Sequence, residues 1–127
     1  MGKRYLIDTN IVIDYLENKL PEPSLSLIDR LSIQISVITR IELLVWPKAT
    51  ESKLAILNSF INASEVLLLN ESIILKTIEI RKNHYTKLPD AIIAATAIVN
   101  DLSILTRNLT DFEKIDGLVA IDPYALK

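Results

Sequence analysis

Four acidic residues stand at the starts of helices or turns, and three of them, Asp8, Glu42 and Asp111, follow strand ends closely; the fourth is Asp90. Asp8 ends the short apolar run Tyr5-Leu6-Ile7. Glu42 falls just after a second strand, in the first turn of the helix expected there. Asp90 follows Pro89 at the head of an Ala- and Ile-rich helix. Asp111 comes after a strand that ends at Thr106. In a parallel sheet all strand C-termini lie on one edge, which is where open α/β folds bind ligands. Residues far apart in sequence converge there. Carboxylates gathered at one place repel one another unless a cation holds them, and hard divalent cations prefer such oxygen ligands. The chemistry on offer is that of a metal held by acids.

Each acid also has a plainer reading. Asp and Glu in a first helical turn complement the macrodipole. Thr39-Arg40-Ile41-Glu42 matches a capping box, with Glu42 bonding back to the Thr39 backbone. Leu88-Pro89-Asp90 is an ordinary helix start, and Asp111 could cap the turn before Phe112. It is the conjunction of the four that favours a site. Other chemistries fit poorly. The only glycines are Gly2 and Gly117, so there is no Gly-rich phosphate loop. His84 stands alone in a basic segment and reads as a surface residue. The absence of cysteine rules out disulfides, thiolate zinc sites and cysteine nucleophiles. No serine-centred nucleophile elbow is present.

The elements that must position these acids follow from apolar spacing. Tyr5-Leu6-Ile7 reads as a buried strand, and Ile11, Val12, Tyr15 and Leu16 as a helix starting near Thr9-Asn10. Pro21 and Pro23 break the pattern before a short helix through Leu25, Leu27, Ile28 and Leu31. Ile33 to Val37 alternates as a strand does. A helix from Thr39 to Trp46 ends at Pro47, and Leu54, Leu57, Phe60 and Ile61 mark the next. Val66 to Leu69 reads as a strand. Ile73, Ile74, Thr77 and Ile78 mark a helix that fades into Arg81-Lys82. Pro89 to Asn100 is helical, Leu102 to Thr106 a strand, Asp111 to Ile115 a helical turn, and Leu118 to Ile121 a last strand. Strands alternating with helices over 127 residues predict one α/β domain with a parallel sheet covered on both faces.

Composition agrees with that class. Half the residues are hydrophobic and 24% are charged, as in a globular chain. The formal net charge is −2 and the pI about 5.4, which alone argues against gripping nucleic acid by bulk charge. Setting aside four metal-bound carboxylates leaves a net +2, so a nucleic-acid substrate stays open. The first residues lack a signal peptide's long apolar stretch. Ala91 to Val99 is far short of the ~20 residues that span a bilayer. A cytoplasmic location without membrane attachment is the expectation.

With these residues in view, the chain resembles PIN-domain ribonucleases, and within them the VapC-type toxins of bacterial toxin–antitoxin pairs. The matching segments are Leu6-Ile7-Asp8-Thr9-Asn10, Thr39-Arg40-Ile41-Glu42-Leu43, Leu88-Pro89-Asp90 through Ala97, and Leu105-Thr106-Arg107-Asn108 with Asp111-Phe112. The resemblance implies a three-layer α/β/α sandwich. It implies Mg²⁺ or Mn²⁺ held by Asp8, Glu42, Asp90 and Asp111, with Asn10, Thr106 and Asn108 in support. Members differ in whether the Asn108-type or the Asp111-type position carries the fourth ligand. It further implies endonucleolytic cleavage of RNA leaving a 3′-hydroxyl and a 5′-phosphate, a homodimer, and a cognate antitoxin as partner. Arg40, Arg81, Lys82, Lys87 and Arg107 are candidates for phosphate contact, and Trp46 for base stacking. A phosphatase of the haloacid dehalogenase type would need a second Asp where Asn10 stands. A phospho-receiver module would need adjacent acids after the first strand. The remaining alternative is a PIN domain that binds RNA or protein without cutting.

Overall fold

The computed structural model describes residues 4–126. Five short strands are β1 (Tyr5–Ile7), β2 (Gln34–Ser36), β3 (Glu65–Leu67), β4 (Ser103–Leu105) and β5 (Ala120–Ile121). Seven helices connect them: α1 (Thr9–Leu16), α2 (Glu22–Asp29), α3 (Val37–Leu44), α4 (Glu51–Ala63), α5 (Glu71–Asn83), α6 (Leu88–Val99) and α7 (Leu109–Phe112), with a 3₁₀ turn at Pro123–Ala125. All pairings are parallel. β4 lies between β1 and β5, with Leu6 opposite Ile104, while β2 pairs with β3. β1 also runs beside β2, which gives the spatial order β3-β2-β1-β4-β5. The chain builds outward from β1 through β3, then returns to the other side of β1 with β4. The direction reverses between β1 and β4, and such a switch point opens a crevice beyond the strand ends.

Strand alternation sorts the core into two halves, because successive side chains point to opposite faces. Leu6 and Ile104 face one core, with Ile73 and Ile80 of α5, Ile93 and Ala94 of α6, and Phe112 of α7. Their neighbours Ile7 and Leu105 face the other, with Ile11 of α1, Ile28 of α2, Leu43 of α3 and Leu57 of α4. The molecule is therefore the expected three-layer sandwich. Among the described residues no helix is long and apolar enough to cross a membrane.

Several expected boundaries move. The second strand stops at Ser36, because the Ser36 hydroxyl accepts from Ile38 N and starts α3 at Val37. Thr39 is thus a buried residue inside the helix and not its cap, and Glu42 sits in the second turn instead of the first. The capping-box reading fails for that reason. Pro23, taken as part of a break, lies in the first turn of α2, where its missing N–H costs nothing. Leu68 and Leu69 leave the sheet and are exposed. The last strand shortens to two residues, and the expected turn at Asp111 begins earlier, at Leu109.

Candidate active site

Asp8 leaves β1 at the switch point and caps α1, accepting from Thr9 N at 2.9 Å. Its other oxygen accepts from Thr106 Oγ1 at 2.8 Å and from Asn10 Nδ2 at 3.2 Å. Thr106 comes directly after β4, so one hydroxyl spans the two strand ends beside the crevice. Asp8 is 6% exposed. Burial raises its pKa from 3.8 to about 6, against the pull of these hydrogen bonds, and the charges of Asp90 and Glu42 push the same way. The carboxylate is held in place at an electrostatic cost.

Glu42 reaches the same place from α3. Its Oε1 accepts from Thr9 Oγ1 at 2.6 Å, and that hydroxyl also lies 3.1 Å from Thr39 Oγ1. The Thr39 of the expected capping box instead stitches α3 to the start of α1. Asp90 stands in the first turn of α6, where no side chain caps the helix. Its pKa is raised, first by burial, then by Asp111 and Glu42, while Lys87 and Lys114 oppose the rise. Asp8, Glu42 and Asp90 line one open cleft of about 340 Å³ together with Asn10, Asn108 and Trp46.

Asp111 is placed differently. It shares a smaller cleft with Asp90 and Lys114 and does not line the main one. Asn108 lines the main cleft, and its Nδ2 donates to Asp111 Oδ2 at 2.7 Å. Asn108 N in turn donates to Thr106 Oγ1 at 2.9 Å. Asn108 thus links Asp111 to the main cleft by a hydrogen bond, while Asp111 meets Asp90 directly across the smaller one. Among the described residues no three acids draw together closely enough to grip one ion as they stand. The donor set is nonetheless all oxygen, and its mutual repulsion is what a hard divalent cation relieves.

The basic candidates part company. Arg107 is engaged within the chain. Its Nε donates to Asp14 Oδ2 at 3.0 Å, and Asp14, buried on α1, also accepts from Tyr124 OH at 2.7 Å. The Arg107 backbone N–H meets Asn10 Oδ1 at 3.2 Å, so this residue braces the site from behind. Asp14 escaped the sequence reading, although an acid three residues after Ile11 on an apolar helix face was a legible signal. Lys114 was also missed. Arg40 is exposed on α3. Arg81, Lys82 and Lys87 line a separate cleft. His84 Nε2 lies 3.8 Å from Asp116 and apart from the acids.

The PIN-domain family model matches residues 5–118. Among solved structures, a chain of a toxin–antitoxin complex from Klebsiella pneumoniae is 30% identical, with a TM-score of 0.78 over 94% of this chain and 98% of that one. A chain of a DNA-bound VapBC from Salmonella typhimurium is 28% identical, with a TM-score of 0.83 over 96% and 99%. A chain of VapBC2 from Rickettsia felis, bound to a promoter DNA fragment, is 23% identical, with a TM-score of 0.75 over 92% and 96%, and adds to the likeness of fold. No curated protein sequence matches the chain.

Proposed function

This chain belongs to the PIN-domain family, and from that premise we propose that it is a metal-dependent endoribonuclease and the toxin of a toxin–antitoxin pair. The observation that carries the reading is Asp8: a buried carboxylate at the switch point, pushed up to about 6, with Glu42 and Asp90 charging the same cleft. Such an arrangement is unfavourable until a cation is bound. Asp8, Glu42 and Asp90 would hold Mg²⁺ or Mn²⁺, with Asp111 acting directly or through Asn108. When bound, the metal supplies a Lewis acid against the negative charge of a phosphodiester.

The chain's own groups do the positioning. Thr106 and Asn10 fix the Asp8 carboxylate, Thr9 fixes Glu42, and Asn108 fixes Asp111. Lys87 and Lys114 offset the charge at Asp90. In the hydrolysis a water oxygen joins phosphorus and the bond from phosphorus to O3′ breaks. The departing oxygen takes a proton, which leaves a 3′-hydroxyl and a 5′-phosphate. The carboxylates that would hold the metal would also accept the proton that the water loses.

An antitoxin partner is supported by a second groove. Ile13, Leu16, Trp46 and Ile56 line an apolar trough with Glu17 and Lys53 at its edge, and Ile13 and Trp46 also line the acidic cleft. A peptide lying in the trough could deliver an arginine to the carboxylates, whose paired oxygens its planar fork suits.

The test is cleavage of single-stranded RNA with Mn²⁺ or Mg²⁺, with EDTA, and by Asp90→Asn. Activity that needs the metal and is lost in the variant supports the enzyme. RNA binding without metal-dependent cutting would leave the non-catalytic alternative in its place.

A further inference from the structure

Three clefts follow one another across the surface. The acidic one shares Asp90 with the small cleft of Asp111 and Lys114, and that cleft shares Tyr85, Thr86 and Lys87 with a third. The third opens to about 810 Å³ along the end of α5 and the loop to α6. Its lining carries Arg81, Lys82 and Lys87 and no carboxylate. The sign of the charge thus reverses along a continuous path.

The loop in this cleft is pinned at two carbonyls. Arg81 Nε donates to Thr86 O at 3.2 Å, and Lys114 Nζ donates to Tyr85 O. Held this way, the loop carries the Tyr85 side chain at 95% exposure. Thr86 is 9% exposed, and its Oγ1 has no hydrogen-bond partner among the described residues. A large aromatic standing in water on a braced loop gains nothing from packing. Among cations beside an acidic cleft, it has the make-up of a stacking platform.

We propose that this basic cleft is a subsite for single-stranded RNA, in which Tyr85 stacks on a base while Arg81, Lys82 and Lys87 contact flanking phosphates. The subsite rests on the ribonuclease reading and extends it, assigning Tyr85 and the cations of this cleft to the strand beyond the scissile phosphate. A polyanion whose scissile phosphate sits at the acids is drawn, over the rest of its length, toward the cations next to them. Stacking is open to any base, because every base has a π-face, and it requires the base to be unpaired. A second copy of this chain suits the surface less well. A twofold contact centred here would set Arg81, Lys82 and Lys87 against their own images.

The test is the anisotropy of a short fluorescein-labelled single-stranded RNA of mixed sequence, titrated in EDTA so that it is not cut. Tyr85→Ala should weaken binding by about tenfold, while Tyr85→Phe and Tyr85→Trp, which keep the ring, should bind as the parent does. Lys82→Gln and Lys87→Gln should each lower the slope of log affinity against log salt by about 0.7. The same RNA annealed to its complement should be indifferent to Tyr85→Ala. Equal binding of the single strand by parent and Tyr85→Ala overturns the subsite and leaves the ribonuclease reading standing. If the parent binds no RNA in EDTA the subsite falls, while the ribonuclease reading is decided by the cleavage assay with Mn²⁺ or Mg²⁺. Light scattering on the same samples covers the remaining case: a change of oligomeric state in Tyr85→Ala would make that residue a contact between copies and overturn the proposal.

Discussion

At the residue scale the chemistry centres on Asp8. Its carboxyl titrates near 6 in the folded chain against 3.8 for an ordinary Asp. The folded state therefore holds the proton more tightly than the unfolded one. Asp8 contributes most below about pH 4, and that contribution is lost as pH rises through 6, amounting to about 3 kcal/mol at neutral pH. Asp8→Asn keeps the shape, and the Thr106 hydroxyl can turn to accept from the new amide. In EDTA the variant should be more stable than the parent above pH 6, by up to about 3 kcal/mol, with the gain shrinking toward nothing near pH 4. Urea unfolding across that range checks it, and a gain that ignores pH would place the strain elsewhere. The same variant should lose the stabilisation that Mn²⁺ gives the parent. A second prediction concerns Arg107. Its removal leaves Asp14 buried with Tyr124 as its remaining partner, so Arg107→Gln should cost about 1–3 kcal/mol. Adding Asp14→Asn should recover part of that loss, as a double-mutant cycle would show. A purely additive pair would mean that the contact does not hold the two together.

At the element scale the site depends on where α3 begins. The Ser36 cap sets the phase of the helix, and the phase turns Thr39 and Leu43 inward and carries Glu42 to the Thr9 hydroxyl. Ser36→Ala should cost about 1 kcal/mol in denaturant unfolding, as lost caps do. No loss on Ser36→Ala would mean that another residue caps α3. The two-residue spacing of strand side chains matters equally. Because Ile7 faces one core and Leu6 the other, Asp8 follows at the strand end with its backbone N–H bonded to Leu105 O at 3.0 Å. That bond sets Asp8 beside Thr106.

For the whole molecule the open question is what covers the apolar surface. Leu68, Leu69, Ile74, Leu75 and Ile78 are exposed along and just before α5, and Ile56 is exposed on α4. Surfaces of this kind mark interaction sites more often than water-facing ones, and the family resemblance implies a homodimer. Leu75→Glu should convert a dimer to a monomer in light scattering at tens of micromolar, an order-of-magnitude working range for such interfaces. It should leave thermal unfolding nearly unchanged, since the side chain is 58% exposed. A dimer that survives the change would place the interface elsewhere.

Much of this was legible along the chain. Apolar periodicity marked every strand and seven helical stretches, because burial of one face imposes period 2 or 3.6. Strands alternating with helices implied parallel pairing and therefore a common edge for Asp8, Glu42 and Asp111; the fold brings Asp8 and Glu42 to one cleft, adds Asp90 from α6, and sets Asp111 in the neighbouring cleft. What the chain did not reveal were the choices that depend on neighbours distant in sequence. Ser36 and Thr39 both have side chains able to cap a helix, and in the fold Ser36 is the cap while Thr39 is buried within α3. Arg107 carries the same charge as Lys87. Only the fold brings it against Asp14, a residue 93 positions earlier, and leaves Lys87 facing an open cleft. Asp111 and Asn108 read alike as polar residues after a strand, yet the turn of α7 sets Asn108 in the acidic cleft and Asp111 in the smaller cleft beside it. Hydrophobic pattern is local and is carried by the sequence itself. The partner of a charged or polar side chain is decided by distances in space, and those exist only once the chain has folded.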